Sequence, residues 1–188
     1  MNLLSSVQEQ LASLSMKHAS RELESVLEKA RQEDWTPLQS LQALLTIEQQ
    51  SRQDAGRMSR LKAANLPFHK KLDDFDFGFQ TSVSKRQMQQ LTEMAWLEGA
   101  YNVMFLGPPG VGKTHLVTAL GIAAVNAGYR VYFTQMDQLI QLLKTETISG
   151  RSRKHLRALN KSNLVILDEV GFQPISRQEA NLLFGLIN

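Results

Sequence analysis

Residues 1–66 place apolar positions three and four apart among charged ones, the period of amphipathic helices, and contain one proline and one glycine. Leu11, Leu14 and Ala19 predict one helix, and Leu23, Val26, Leu27 and Ala30 a second. A third starts at Thr36-Pro37-Leu38-Gln39: a capping threonine, proline at the first helical position, and glutamine three residues after the cap. Leu41, Leu44, Leu45 and Glu48 carry it toward Leu61, with Gly56 as a point of interruption. Asn65-Leu66-Pro67 ends this pattern, and a further helix is predicted over Lys85–Glu98. From Asn102 the rhythm changes. Short apolar runs at 102–106, 130–134 and 164–168 read as strands, and helical stretches at 113–127, 136–145, 152–160 and 176–187 separate or follow them. Such alternation predicts an α/β layer architecture with a parallel sheet. The expected organisation is a small all-α N-terminal domain at 1–66 that binds DNA or a partner, a connector at 67–84, and an α/β domain at 85–188.

Composition narrows the class. Apolar residues make up 43% of the 188, enough for a core, so general disorder is excluded. With no cysteine there is no disulfide or thiolate metal site, which fits a reducing compartment. No signal pattern and no apolar run near ~20 residues occurs, so the expectation is a soluble, cytoplasmic protein with no membrane partner. The net charge of +3 conceals a segregation. Residues 52–71 carry +5, residues 144–161 another +5, and the remainder −7. Arg52, Arg57, Arg60 and Lys62 in the first stretch, and Arg151, Arg153, Lys154 and Arg157 in the second, are candidate contacts to a polyanion such as duplex DNA. Solvated helix faces are the other reading, and both stand open.

The chemistry concentrates in Gly107-Pro108-Pro109-Gly110-Val111-Gly112-Lys113-Thr114, which fits the phosphate-binding loop pattern G-x-x-x-x-G-K-[ST]. Glycines let backbone N–H groups turn inward around phosphate oxygens, and the helix that follows, from His115, aims its positive end at the anion. Lys113 is placed to reach the β- and γ-phosphates, and Thr114 to offer its hydroxyl to Mg²⁺. The strand at 164–168 ends in Asp168-Glu169. A carboxylate at the carboxyl edge of a parallel strand lies beside the phosphate loop, so Asp168 is the candidate Mg²⁺ ligand. Glu169 is the candidate base that takes a proton from attacking water. Asn160-Lys161-Ser162-Asn163 lacks the aspartate of a guanine-recognition motif, which argues against a GTPase. Phe75 and Phe77 either pack on an adenine or anchor the connector, and the second is favoured.

Four stretches together resemble the IstB-like helper ATPases of insertion sequences, relatives of DnaC-type helicase loaders in the AAA+ class. They are Arg60 to Pro67, Asp74-Phe75-Asp76-Phe77, Asn102 to Leu116, and Leu167-Asp168-Glu169-Val170-Gly171-Phe172-Gln173-Pro174-Ile175-Ser176-Arg177. The resemblance implies a P-loop AAA+ three-layer α/β domain. It implies an ATPase with ATP and Mg²⁺ as cofactors that assembles as a homo-oligomer on duplex DNA and presents it to a transposase of the same element. Lys113, Asp168 and Glu169 would then be catalytic, Gly107 to His115 nucleotide-binding, and Thr114 and Asp168 the metal site. Two rivals are a replicative helicase loader and a non-hydrolysing adaptor for DNA or a partner. Family members continue past Asn188 with a sensor strand and an arginine finger. The expectation for this chain is therefore a C-terminally incomplete sheet, with strands 102–106 and 164–168 lacking a common neighbour.

Overall fold

The computed structural model describes residues 2–172 and 174–187, so Gln173 of the last motif lies outside the described residues. The chain forms two compact units, Met1–Met58 and Ser59–Asn188.

The first unit contains α1 (Leu3–Ser13), α2 (Lys17–Gln32) and most of α3 (Pro37–Ala63). Its core is Ala19, Leu23, Val26 and Leu44, flanked by Leu4, Val7, Leu11 and Trp35. The helix predicted through Leu11, Leu14 and Ala19 is in fact two. Ser15 turns left-handed at φ 62°, and Ala19 belongs to α2. The predicted start of α3 forms: the Gln39 N–H donates to Thr36 Oγ1 at 3.3 Å, and the Thr36 N–H donates to Gln39 Oε1 at 2.7 Å. Gly56 does not interrupt α3, which is helical throughout.

No side chain of its own caps α2. Glu48 of α3, only 5% exposed, does so instead by accepting the N–H groups of His18 at 2.9 Å and Ala19 at 3.1 Å. A carboxylate there satisfies two orphan donors and faces the positive end of the helix. Arg52 donates from Nε to Glu48 at 2.8 Å and from Nη2 to the Ser15 carbonyl at 2.9 Å. The Arg52 hydrogen bond, and then the two backbone donors, hold the Glu48 carboxyl below its ordinary range against the opposing effect of burial.

The second unit follows with α4 (Lys85–Thr92), α5 (Ala95–Glu98), α6 (Lys113–Asn126), β1 (Val131–Gln135), α7 (Met136–Lys144), α8 (Gly150–Asn160), β2 (Leu164–Asp168) and α9 (Arg177–Ile187). The helix expected over Lys85–Glu98 breaks at Met94, which is buried in left-handed conformation at φ 61°. β1 and β2 pair in parallel, from Val131 opposite Leu164 to Gln135 opposite Asp168. Partnered residues share a face, and successive ones alternate. Val131, Phe133 and Ile166 pack against Leu120, Ala124 and Val125 of α6, with Ala64 and Met94. Tyr132 and Leu167 point the other way, into Leu139 of α7, Leu156 and Leu159 of α8, and Leu183 and Leu186 of α9. Helices therefore cover both faces of a parallel sheet, the three-layer α/β arrangement.

The third predicted strand, 102–106, is not one. The sheet of the described residues has two strands, and 102–106 is extended without a ladder. Phe105 packs against the core, while Met104 and Leu106 are exposed. Composition suits a strand here, but pairing makes one, and neither side supplies a neighbour. The outer edge of β1 is closed. The Phe133 N–H donates to the Ala64 carbonyl at 2.8 Å, and Asn65 Nδ2 donates to the Phe133 carbonyl at 3.0 Å.

Candidate functional site

Gly107–Thr114 leads into α6, whose cap Gly112 sits at φ 86°, with Gly110 at φ 82°. Both are in the left-handed region that glycine enters without steric cost. Gly112 is under a second constraint: a Cβ there would lie 2.6 Å from Phe75 Cε2. Phe75 is itself held edge-on by Phe77, with centroids 4.8 Å apart, and by His115 at 5.3 Å. The His115 ring also meets the Lys71 carbonyl at 3.1 Å through Nε2. Phe75 thus anchors the connector against the phosphate loop.

The two halves of the motif meet. Thr114 Oγ1 donates to Asp168 Oδ2 at 2.8 Å across 54 residues of sequence. The Lys113 ammonium donates to the loop's own carbonyls, Gly107 at 2.9 Å and Pro108 at 2.8 Å. Among the described residues, the backbone N–H groups of Gly110, Val111, Gly112 and Lys113 have no protein acceptor. A loop of unpaired amides, an ammonium held at its rim and a hydroxyl–carboxylate pair fit a polyphosphate with a divalent cation. Thr114 and Asp168 would hold Mg²⁺, and the loop amides with Lys113 would hold the phosphates.

Glu169 is placed differently. It leaves β2 in left-handed conformation at φ 58° and lines a cleft of about 110 Å³ with Met136, Asp137 and Ile140 of α7 and Phe172, Ile175 and Glu179 beyond it. Glu179 joins α9 to α7 within one layer. It binds Lys144 of α7 at 2.7 Å and accepts the Ser176 N–H at 2.8 Å in the cap of α9. Lys144 first, then Ser176, pull its carboxyl down from 4.5 to about 2.

The basic residues sort into two groups. Arg52 pairs with Glu48, and Arg57 lies 3.8 Å from Asp54. Arg60 buries its Nε without a hydrogen-bond partner among the described residues, and Lys62 is exposed. On α8, Ser152, Leu156 and Leu159 are buried while Arg151, Arg153, Lys154 and Arg157 are exposed. Arg153 donates to the Glu146 and Thr147 carbonyls at 3.5 and 3.1 Å. Among the described residues no α8 cation is within ion-pair distance of a carboxylate. His155 sits between them and turns inward, its Nδ1 2.8 Å from the Tyr132 hydroxyl.

A glycine loop feeding a helix N-terminus, closed by a threonine–aspartate pair at the carboxyl edge of a parallel strand, defines a P-loop nucleotide-binding protein. Residues 9–188 match the family model described as IstB-like ATP binding protein. The chain belongs to this family. It is 42% identical over 178 residues to an insertion sequence IS21 protein of Pseudomonas aeruginosa, named provisionally for ATP binding, a match covering 95% of this chain and 67% of the relative. An insertion sequence IS232 protein of Bacillus thuringiensis subsp. berliner, named in the same way, is 35% identical over 93% of this chain and 70% of its own. An IS21-like counterpart of Bacteroides fragilis is 31% identical over 93% and 66%. The chain therefore spans about two thirds of the length of these relatives. No helix of the described residues is long and apolar enough to cross a membrane.

Proposed function

We propose that this chain binds ATP with Mg²⁺, hydrolyses it, and assembles as a homo-oligomer on duplex DNA that it delivers to a transposase of its insertion sequence. The Thr114–Asp168 hydrogen bond carries the nucleotide part of this reading, because it joins the phosphate loop to a carboxylate suited to a cation there. The family and the insertion-sequence names of its relatives support the transposition part. When ATP arrives, the Lys113 ammonium exchanges two neutral carbonyls for anionic phosphate oxygens. Charge-assisted hydrogen bonds are the stronger kind, so the exchange favours the bound state. Bound Mg²⁺ supplies charge neutralisation on the transferring phosphoryl group. Asp168 and Thr114 would hold it, and Glu169, which lines the α7 cleft, would have to turn toward the site to accept a proton from the attacking water. The α8 cations, which pair with no carboxylate among the described residues, are the favoured contact to DNA phosphates.

Equilibrium binding of a fluorescent ATP analogue, together with phosphate release, tests the nucleotide part. Lys113→Ala should weaken analogue binding by roughly 10- to 150-fold, the equivalent of ~1.5–3 kcal/mol for a lost charge-assisted bond, and abolish release. Unchanged binding would sink the assignment. One observation favours a second reading, nucleotide-gated DNA or partner binding without turnover: the Glu169 side chain lines the α7 cleft and, among the described residues, makes no hydrogen bond to Thr114 or Asp168. Analogue binding by the parent chain without phosphate release would decide for it.

A further inference from the structure

The turn between α7 and α8 displays an isoleucine at its tip. Ile148 is 82% exposed and directly precedes Ser149, the residue that caps α8. One exposed apolar side chain is ordinary on a protein surface, but this one sits on a turn fixed from both helices. The N–H groups of Ile148 and Ser149 both donate to the Thr145 carbonyl, at 3.2 and 2.8 Å. Thr145 Oγ1 in turn donates to the Gln141 carbonyl of α7 at 2.7 Å and lies 2.7 Å from Oγ of the buried Ser152 in α8. Ser149 Oγ accepts the Ser152 N–H at 3.2 Å, and the Arg153 guanidinium reaches back to the Glu146 and Thr147 carbonyls. A tip held in this way gives up little freedom when its side chain enters a partner.

Charge selects the partner. Residues 144–161 carry +5, and the exposed Arg151, Lys154 and Arg157 follow Ile148 along α8 with no carboxylate in ion-pair distance among the described residues. Such a face attracts a polyanion. A lipid surface is the poorer fit, because it engages the apolar face of a helix, and Leu156 and Leu159 of α8 are already spent in the core. An apolar point beside arginines is the combination with which proteins pry apart a base step from the minor groove. We propose that Ile148 is a wedge that enters duplex DNA from the minor groove and unstacks one base step, while the α8 cations hold the flanking phosphates. The inference rests on the reading of α8 as the DNA contact. It assigns the two jobs to different residues: the cations set affinity and salt dependence, and Ile148 sets deformation.

The test uses the full chain and a mixed-sequence DNA duplex labelled at both ends. Energy transfer between the ends reads bending, permanganate reactivity of thymines reads unstacking, and binding across a salt series reads phosphate contacts. The parent should kink the duplex by about 20–90° and raise thymine reactivity above that of free DNA. Ile148→Ser should return both signals to the free-duplex level, with the salt slope and the thermal midpoint in place, and Ile148→Leu should restore them. Arg157→Ala should make the salt slope shallower. If the parent binds with a salt slope that Arg157→Ala reduces, but Ile148→Ser deforms the duplex as the parent does, the wedge is overturned and the α8 reading stands. If the parent shows no salt-dependent binding, the α8 reading falls and the wedge falls with it. Sedimentation with phosphatidylserine vesicles that Ile148→Ser abolishes, beside unchanged DNA deformation, would assign the tip to a lipid surface and overturn the proposal.

Discussion

At the scale of single residues, the phosphate loop shows how two independent demands converge on one position. Gly112 needs φ 86° and needs the space that Phe75 leaves, whereas Gly110 needs φ 82° but has open space around it. Gly110→Ala should therefore cost only the left-handed backbone, about 1–2 kcal/mol, and keep nucleotide binding. Gly112→Ala should cost more, because Phe75 must move and is wedged between Phe77 and His115. Thermal unfolding with and without Mg²⁺-ATP checks this: the nucleotide-induced rise in midpoint should survive the first substitution and vanish in the second. Spacing and residue type made the loop and the Asp168-Glu169 step legible, since their chemistry is local in sequence. The work of Arg52 was not legible. It holds a carboxylate that caps a helix start 30 residues away, a relation visible only in three dimensions.

At the scale of elements, the helices were read within a few residues where caps or apolar periods mark them. They were misread where a residue other than glycine turns left-handed. Ser15 and Met94 break the predicted first and fourth helices at φ 62° and 61° without the glycine that would announce it. The stretch 102–106 shows the limit for strands, whose existence depends on a neighbour rather than on their own composition. The contact between α7 and α9 gives an element-scale prediction. Glu179 titrates near 4.5 when unfolded and near 2 when bound to Lys144 and the α9 cap. A carboxyl with a lowered folded value contributes stability above its unfolded value and loses that contribution as pH falls through the folded one. Amide protection in α9 should therefore decline between pH 4.5 and 2, and Glu179→Gln should flatten that decline. Protection that falls identically in both proteins would show that other groups set the acid limit.

At the scale of the whole molecule, charge is divided between local use and outward display. Arg52 and Arg57 are matched by carboxylates on their own helix, while the α8 cations are not. Duplex DNA affinity should fall linearly on a log–log plot against salt, with a slope near −0.9 per phosphate contacted. Arg157→Ala and Lys154→Ala should each make that slope shallower by about 1. Arg57→Ala should leave it alone, and equal effects from Arg57 and Arg157 would dissolve the distinction. The α/β class was legible from the alternation after Asn102, because hydrophobic period reports layers well. Sheet width is a property of pairing: 102–106 was expected to lack a neighbour, and among the described residues it stands extended without a ladder.

The seal that Ala64 and Asn65 place on β1 has a directional consequence. A parallel sheet with one capped margin is a template with a single growing end, and here that end is β2, the strand that carries Asp168. Among the described residues, a further strand would dock along β2, on the backbone that carries Asp168, so widening the sheet would bear directly on the carboxylate that Thr114 holds.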